Sequence, residues 1–219
     1  MPQRMQTLTS QWSAAAAGHG ALPIQFLNEI DDEDGPPLHT EFQYLEKECF
    51  PLLSQLEMKL WSATRPRSVP IIIYKTAGKG WGVRSPVHVS KGTVLGEFTG
   101  TRSDADAQQE PTYVFDWDGC DHDETRHGHK YSVDATLQGN WTRFVNHSCE
   151  PNVGVYNAVY DEAIESNIPH IVFVALRDIP AQHEFGLDYY PQKAGKKTKG
   201  SRKKRTCFCD AKKCRNVVF

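Results

Sequence analysis

Beyond Pro70 the apolar residues come in short bursts: IIIY at 71–74, GTVLGEF at 92–98, TYVFDW at 112–117, KYSVDA at 130–135 and IVFVAL at 171–176. Each burst is rich in β-branched and aromatic residues and is closed off by Gly, Pro, Asp or Ser, as strands are. No rhythm of alternating strands and helices runs through them, which excludes a Rossmann-type sheet. The pattern predicts a mainly β fold of many short strands with few short helices. A chain of 219 residues can bury a real core as one medium domain with small appendages.

The longest apolar run, Ile171 to Leu176, falls far short of the ~20 residues a membrane span needs. The N-terminus lacks the apolar stretch of a signal peptide. The expectation is an intracellular chain, away from membranes, whose six cysteines form no structural disulfides. Two glycosylation sequons, at Asn140 and Asn146, are then chance matches. Net charge is −2 but unevenly spread: from Lys193 onward there are 11 Lys and Arg against one Asp, leaving the first 192 residues at −12. An acidic body suits a basic partner such as a Lys/Arg-rich peptide. The run KAGKKTKGSRKKR fits a nuclear localisation signal, a nucleic-acid contact or a solvated linker, and direct contact with DNA stays open.

Residues 1–20 read as a disordered tail. Pro23 to Pro37 pairs an extended apolar start with acidic, Pro- and Gly-bearing turns. Phe50 to Trp61 carries apolar residues at 53, 56 and 60, a helical spacing, with Pro51 acceptable in a first turn.

Three motifs carry chemistry. The tail CFCDAKKC places Cys207, Cys209 and Cys214 within eight residues, which points to a structural zinc needing a fourth ligand from Cys49, Cys120 or Cys149. GKGWGVRS sets Gly80 and Gly82 around Trp81, a turn that lets backbone approach a ligand. TRFVNHSCEPNV, from Thr142 to Val153, crowds an arginine, two asparagines, a histidine, a serine and a cysteine together.

In order along the chain, GKGWGVRS, GTVLGEFTG, YVFDWD, YSVDATLQGNWTRFVNHSCEPNV, HEFGLDYY and CFCDAKKC together resemble the SET-domain protein lysine methyltransferases with a post-SET zinc tail. PIQFLNEIDDEDGPPLHTEFQYLEKE is similar to the opening of the pre-SET region in the suppressor-of-variegation family, which methylates lysine 9 of the histone H3 tail. The resemblance implies a degenerate pre-SET region at 21–68, a SET domain at 69–192 with short curved sheets and a pseudoknot (the β-clip), a basic linker at 193–205 and a post-SET tail at 206–219. It implies S-adenosylmethionine bound by Lys79, Gly80, Trp81, Tyr113, Arg143, Asn146, His147 and Tyr189. Tyr189 matches the catalytic tyrosine, with Asn146 and His147 beside it, and Cys149 becomes the fourth ligand of one zinc with Cys207, Cys209 and Cys214. Leu187 and Phe98 fall where relatives carry aromatic residues that set the number of methyl groups, and both enlarge the pocket towards a di- or trimethyl product. The pre-SET cysteine cluster is missing, since only Cys49 lies between Pro23 and Val69. The expectation is a nuclear, chromatin-associated monomer acting on the histone H3 tail. The alternatives are a catalytically dead module that binds cofactor or histone tails, and a methyltransferase for a non-histone protein.

Overall fold

In the computed structural model the described residues are 2–46, 66–104, 113–117, 131–158, 170–189 and 205–218. The expected helix at 50–61, the cysteines at 49 and 120 and almost all of the basic linker lie outside them.

Three consecutive isoleucines decide the first layer. Ile71, Ile72 and Ile73 are all buried, so their strand must be covered on both faces. That strand, β3 (Ile71–Thr76), runs between β1 (Ile24–Leu27), to which it is parallel, and β4 (Gly80–Arg84), to which it is antiparallel. A second strand buried on both faces, β12 (His170–Ala175), is central to the largest sheet. There it pairs antiparallel with β5 (Val94–Glu97) and β11 (Val153–Ala158). The sheet continues through β13 (Gly186–Leu187) to β10 (Asn146–His147). A third sheet has the order β6 (Thr101–Asp104), β8 (Tyr131–Asp134), β7 (Val114–Trp117). Short pairs join β2 (Gln43–Tyr44) to β9 (Gln138–Gly139) and β14 (Arg205–Thr206) to β15 (Val217–Val218). All five expected apolar bursts contribute strands, and the mainly β expectation holds.

The core is threaded by a 3-10 turn, Trp141–Phe144, whose four residues are all buried. Gly96 on β5 makes room for it: a Cβ there would lie 2.8 Å from Trp141 Cζ2. Inside the same core Glu97 and His170 pair at 2.6 Å, with side chains 6% and 4% exposed.

The N-terminus corrects the sequence reading. Residues 1–20 were expected to be disordered, but Gln3–Gly18 form helix α1. Met5, Trp12 and Ala16 are buried and Leu8 half-buried, a stripe at helical spacing that the many small and polar neighbours hide in the sequence. Alanine-rich, with no Gly or Pro before its last residue, the segment loses little entropy on becoming helical. It also caps the free edge of β1. Phe26 N–H donates to Thr9 Oγ1 (3.0 Å), and Ser13 Oγ exchanges hydrogen bonds with Ile24 N–H (3.1 Å) and C=O (2.7 Å). Trp12 packs on Phe26, Phe42, Tyr44 and Phe144, with ring centroids 4.5–6.2 Å apart. Trp12→Ala is therefore expected to cost about 3–5 kcal/mol, and Trp12→Phe much less. Thermal unfolding checks it; a Trp12→Ala melting curve superimposing on the parent's would remove α1 from the core.

Candidate functional site

Asn140 sets up the segment that carries most of the expected site residues. It caps the 3-10 turn by accepting from Thr142 N–H (3.0 Å), and its amide nitrogen donates to the Glu46 and Glu97 carbonyls (3.1 and 2.9 Å). Its burial is complete, so this sequon asparagine is built into the fold. The turn presents Arg143 and the chain then enters β10.

Asn146 and His147 of β10 lie parallel to Gly186 and Leu187 of β13. Asn152 locks the crossing of the two segments: its amide nitrogen donates to the Glu184 carbonyl (2.8 Å) while Gly186 N–H donates to its Oδ1 (2.8 Å). Ser148 N–H donates to the Leu187 carbonyl (2.8 Å). Two stretches about 40 residues apart in sequence are thus fixed together by backbone and amide bonds.

Both hydrogens of the Asn146 amide are used within the protein, on the Trp81 carbonyl (3.1 Å) and Glu184 Oε1 (2.9 Å). The side-chain oxygen is left as its accepting atom. Glu184 also receives Lys79 Nζ on its other oxygen. Glu184 has no role in the expected site, yet it joins two of the expected cofactor residues, Lys79 and Asn146. The close approach explains Gly82: a Cβ there would lie 2.8 Å from Glu184 Oε1 and 3.0 Å from Asn146 Nδ2. Trp81 is buried, and its indole N–H donates to Glu33 Oε2 (3.2 Å), tying the start of β4, a strand where a turn was expected, to the acidic stretch after β1.

His147 links the catalytic candidate to the cysteines. Tyr189 N–H can only donate, so the His147 Nδ1 it meets at 3.2 Å is unprotonated. The other ring nitrogen, Nε2, faces Cys149 Sγ at 3.3 Å. The Tyr189 hydroxyl donates to the Val145 carbonyl (2.7 Å), leaving the phenol oxygen able to accept. One cleft is lined by Gly78, Lys79, Asn146, His147, Tyr189 and the tail residues Thr206 to Cys209.

Gly80, Trp81, Tyr113 and Arg143 are not among its described lining. The Arg143 guanidinium lies 3.7 Å from the Tyr113 ring centre and 4.9 Å from that of Phe42, with Nε donating to the Ala135 carbonyl (2.9 Å). Burial lowers its pKa to about 10, so it remains a cation at neutral pH. Among the described residues its Nη1 is buried with no hydrogen-bond partner. Leu187 and Phe98 are both buried in the core, Phe98 against Phe115 and Phe173 with ring centres 5.4 and 6.1 Å away.

The four expected ligands come together: the sulfurs of Cys149, Cys207, Cys209 and Cys214 all lie within 4.8 Å of one another. Zinc–sulfur bonds of ≈ 2.3 Å in a tetrahedron place sulfurs about 3.8 Å apart. Cys149 and Cys207 are at 3.8 Å and Cys209 and Cys214 at 3.6 Å, so the donor set fits zinc. Backbone N–H groups of Arg215 and Asn216 point at Cys149 and Cys214 sulfur, both at 3.3 Å, as suits thiolates. Burial pushes the Cys207 thiol up to about 12. Burial opposes charge on Cys209 too, but hydrogen bonds from the backbone at Cys149 and Ala211 outweigh it and bring that thiol down to about 7.

Small sheets locked by a two-segment crossing stand beside a cleft that the thiol-rich tail helps to line. A family model for the SET domain matches residues 80–190, half of the chain, and the chain belongs to that family. It is 34% identical over 173 residues to the histone-lysine N-methyltransferase, H3 lysine-9 specific KMT1 of Fusarium mangiferae, covering 71% of this chain and 50% of that protein. It is 33% identical over 166 residues to the histone-lysine N-methyltransferase Su(var)3-9 of Drosophila melanogaster, covering 70% of this chain and 25% of that one. Among solved structures, Arabidopsis thaliana SUVH6 in complex with SAM is 26% identical with a TM-score of 0.68, over 90% of this chain and 54% of that one. The chain spans half or less of the length of these two curated relatives.

Proposed function

We propose that this chain is an S-adenosylmethionine-dependent protein-lysine N-methyltransferase acting on lysine 9 of the histone H3 tail. The observation that carries the reading is the single cleft where Lys79, Asn146, His147 and Tyr189 meet the cysteine tail, in a SET-domain chain. Two side-chain atoms suit the cofactor's amino-acid end. Arg143 Nη1 is a buried donor suited to a carboxylate, and Asn146 Oδ1 is an acceptor suited to an ammonium. When bound, S-adenosylmethionine supplies an electrophilic methyl group on a positively charged sulfur.

The protein's own part is placement. A lysine amine with a pKa near 10.4 is mostly protonated at neutral pH, and apolar surroundings favour its neutral form. The Tyr189 oxygen, its own proton committed to the Val145 carbonyl, accepts from the amine and aims the lone pair. His147 acts by holding the Tyr189 backbone, not as a base. Alignment of this kind contributes roughly 7–11 kcal/mol, and no carboxylate base is required. Cys149, Cys207, Cys209 and Cys214 would hold one zinc and so fasten the tail over the cleft. The acidic body attracts the basic H3 tail, in the nucleus and on chromatin.

Radiolabelled methyl transfer to core histones, to H3 peptides and to a cell extract tests the proposal. Label on an H3 peptide that disappears when lysine 9 is replaced by arginine supports it. Label confined to a non-histone protein, or none at all, overturns it.

Leu187 sets a further expectation. It is 5% exposed and lacks the hydroxyl that a tyrosine would offer to a water beside the amine. The wild-type product is expected to be di- or trimethyl-lysine, and Leu187→Tyr should shift it towards monomethyl. The larger ring costs about 1–3 kcal/mol of stability without abolishing the first transfer. Mass spectrometry of a peptide over time decides; a wild-type reaction that stops at monomethyl with excess cofactor refutes the pocket-size argument.

A further inference from the structure

Two charged residues of the site region have no part in the chemistry above. Asp188 stands between Leu187 of β13 and Tyr189. Arg215 stands directly after Cys214 in the tail. Arg215 Nη2 donates to Asp188 Oδ1 at 2.6 Å, with the two side chains 29% and 19% exposed. Its backbone N–H donates to Cys149 Sγ, and its guanidinium reaches within 3.4 Å of His147 Nε2. Among the described residues this is the one ion pair joining the tail to the body of the domain. Another polar tie between them, Lys213 N–H to Glu150 Oε2 at 3.3 Å, is exposed.

We propose that Arg215 and Asp188 form a latch that couples closure of the thiol-bearing tail to the placing of Tyr189, which makes Arg215 a positioning residue. What the latch serves rests on the methyltransferase reading; the coupling itself rests on the geometry. Cys214, as one of the four residues that would hold a metal, would fix the neighbouring Arg215 backbone. The guanidinium then holds Asp188, and with it the strand end from which Tyr189 N–H reaches His147. His147 closes the loop, because its other nitrogen faces Cys149. Arginine suits this role because its planar, permanently charged fork loses less freedom per bond than an ammonium. Tail and tyrosine are thereby set together, and a tail that lifts loosens both.

The test uses the full zinc-loaded chain, Arg215→Gln, Asp188→Asn, the double variant and Arg215→Lys. Three quantities are read: zinc per chain, the rate at which a chromophoric chelator strips the zinc, and turnover on an H3 N-terminal peptide. Each single variant should keep about one zinc per chain, release it faster than the parent, and lose turnover about tenfold, which is ~1.4 kcal/mol. The double variant should be no worse than the worse single one, since both remove one interaction. Arg215→Lys should recover slow release in part. Losses that multiply in the double variant overturn the latch, as does an Arg215→Gln protein with parental release and turnover. Zinc missing from Arg215→Gln as purified also overturns it, because Arg215 would then serve the metal site alone. If the parent methylates no histone, the methyltransferase reading fails by itself, and chelator release, which needs no activity, still decides the latch.

Discussion

Tyr189→Phe is expected to lower turnover about 10²-fold while S-adenosylmethionine affinity stays close to the parent's. The hydroxyl donates to the Val145 carbonyl at 2.7 Å, so its proton has a fixed direction and its oxygen faces elsewhere. An oxygen held this way aims an amine without spending binding energy on the cofactor. Its loss removes an interaction made in the transition state, which lowers turnover more than it weakens binding. The substitution leaves the Tyr189 N–H to His147 bond in place, because that bond is made by the backbone. The ring packing against His147, with centroids 5.4 Å apart, is also kept. The fold and the tail should therefore be undisturbed, and any loss reports the hydroxyl alone. Calorimetric titration with cofactor beside the transfer assay separates the two quantities. Unchanged turnover would remove Tyr189 from the reaction. A parallel fall in affinity would place the hydroxyl on the cofactor.

The strands were legible because burial leaves a mark on composition: Ile71 to Ile73 and Ile171 to Ala175 can be covered on both faces only as central strands. The cysteine cluster was legible because thiols are rare and their spacing is chemical. Residues that act through partners were not. Glu184 is one acidic residue among many in the sequence, and its importance comes from meeting Lys79 and Asn146, 105 and 38 positions away. Arg215 looked like one more charge in a basic tail, although its place directly after the last cysteine was a usable signal. Helix α1 was missed because its buried stripe rests on one methionine, one leucine, one tryptophan and an alanine; the packing of Trp12 supplies what periodicity does not announce. The buried pair of Glu97 and His170 left no trace either, as neither residue type suggests a core position.

Cys214→Ser is expected to abolish both zinc binding and methyl transfer. The tail from 205 to 218 is short, and its hairpin pairs just two residues per strand. Hydrogen bonds of that number cannot offset the entropy of ordering the segment, at ~1–2 kcal/mol per residue for the backbone alone. The ordering energy has to come from the metal, whose binding free energy in small sites is folding free energy. Removing one of the thiols leaves a site that a hydroxyl cannot replace. Thr206, Cys207, Phe208 and Cys209 then leave the cleft they line, and Cys149 loses the partners that sit across from His147. Elemental analysis should give about one zinc per chain in the parent and essentially none in the variant. Hydrogen exchange over 205–218 should rise to that of an unstructured peptide, while exchange in β3 and β12 stays slow. Chelating the parent's zinc should reproduce both effects, and adding zinc back should reverse them. A zinc-free protein that still transfers methyl groups at the parental rate would show that the tail is not the lid of this site.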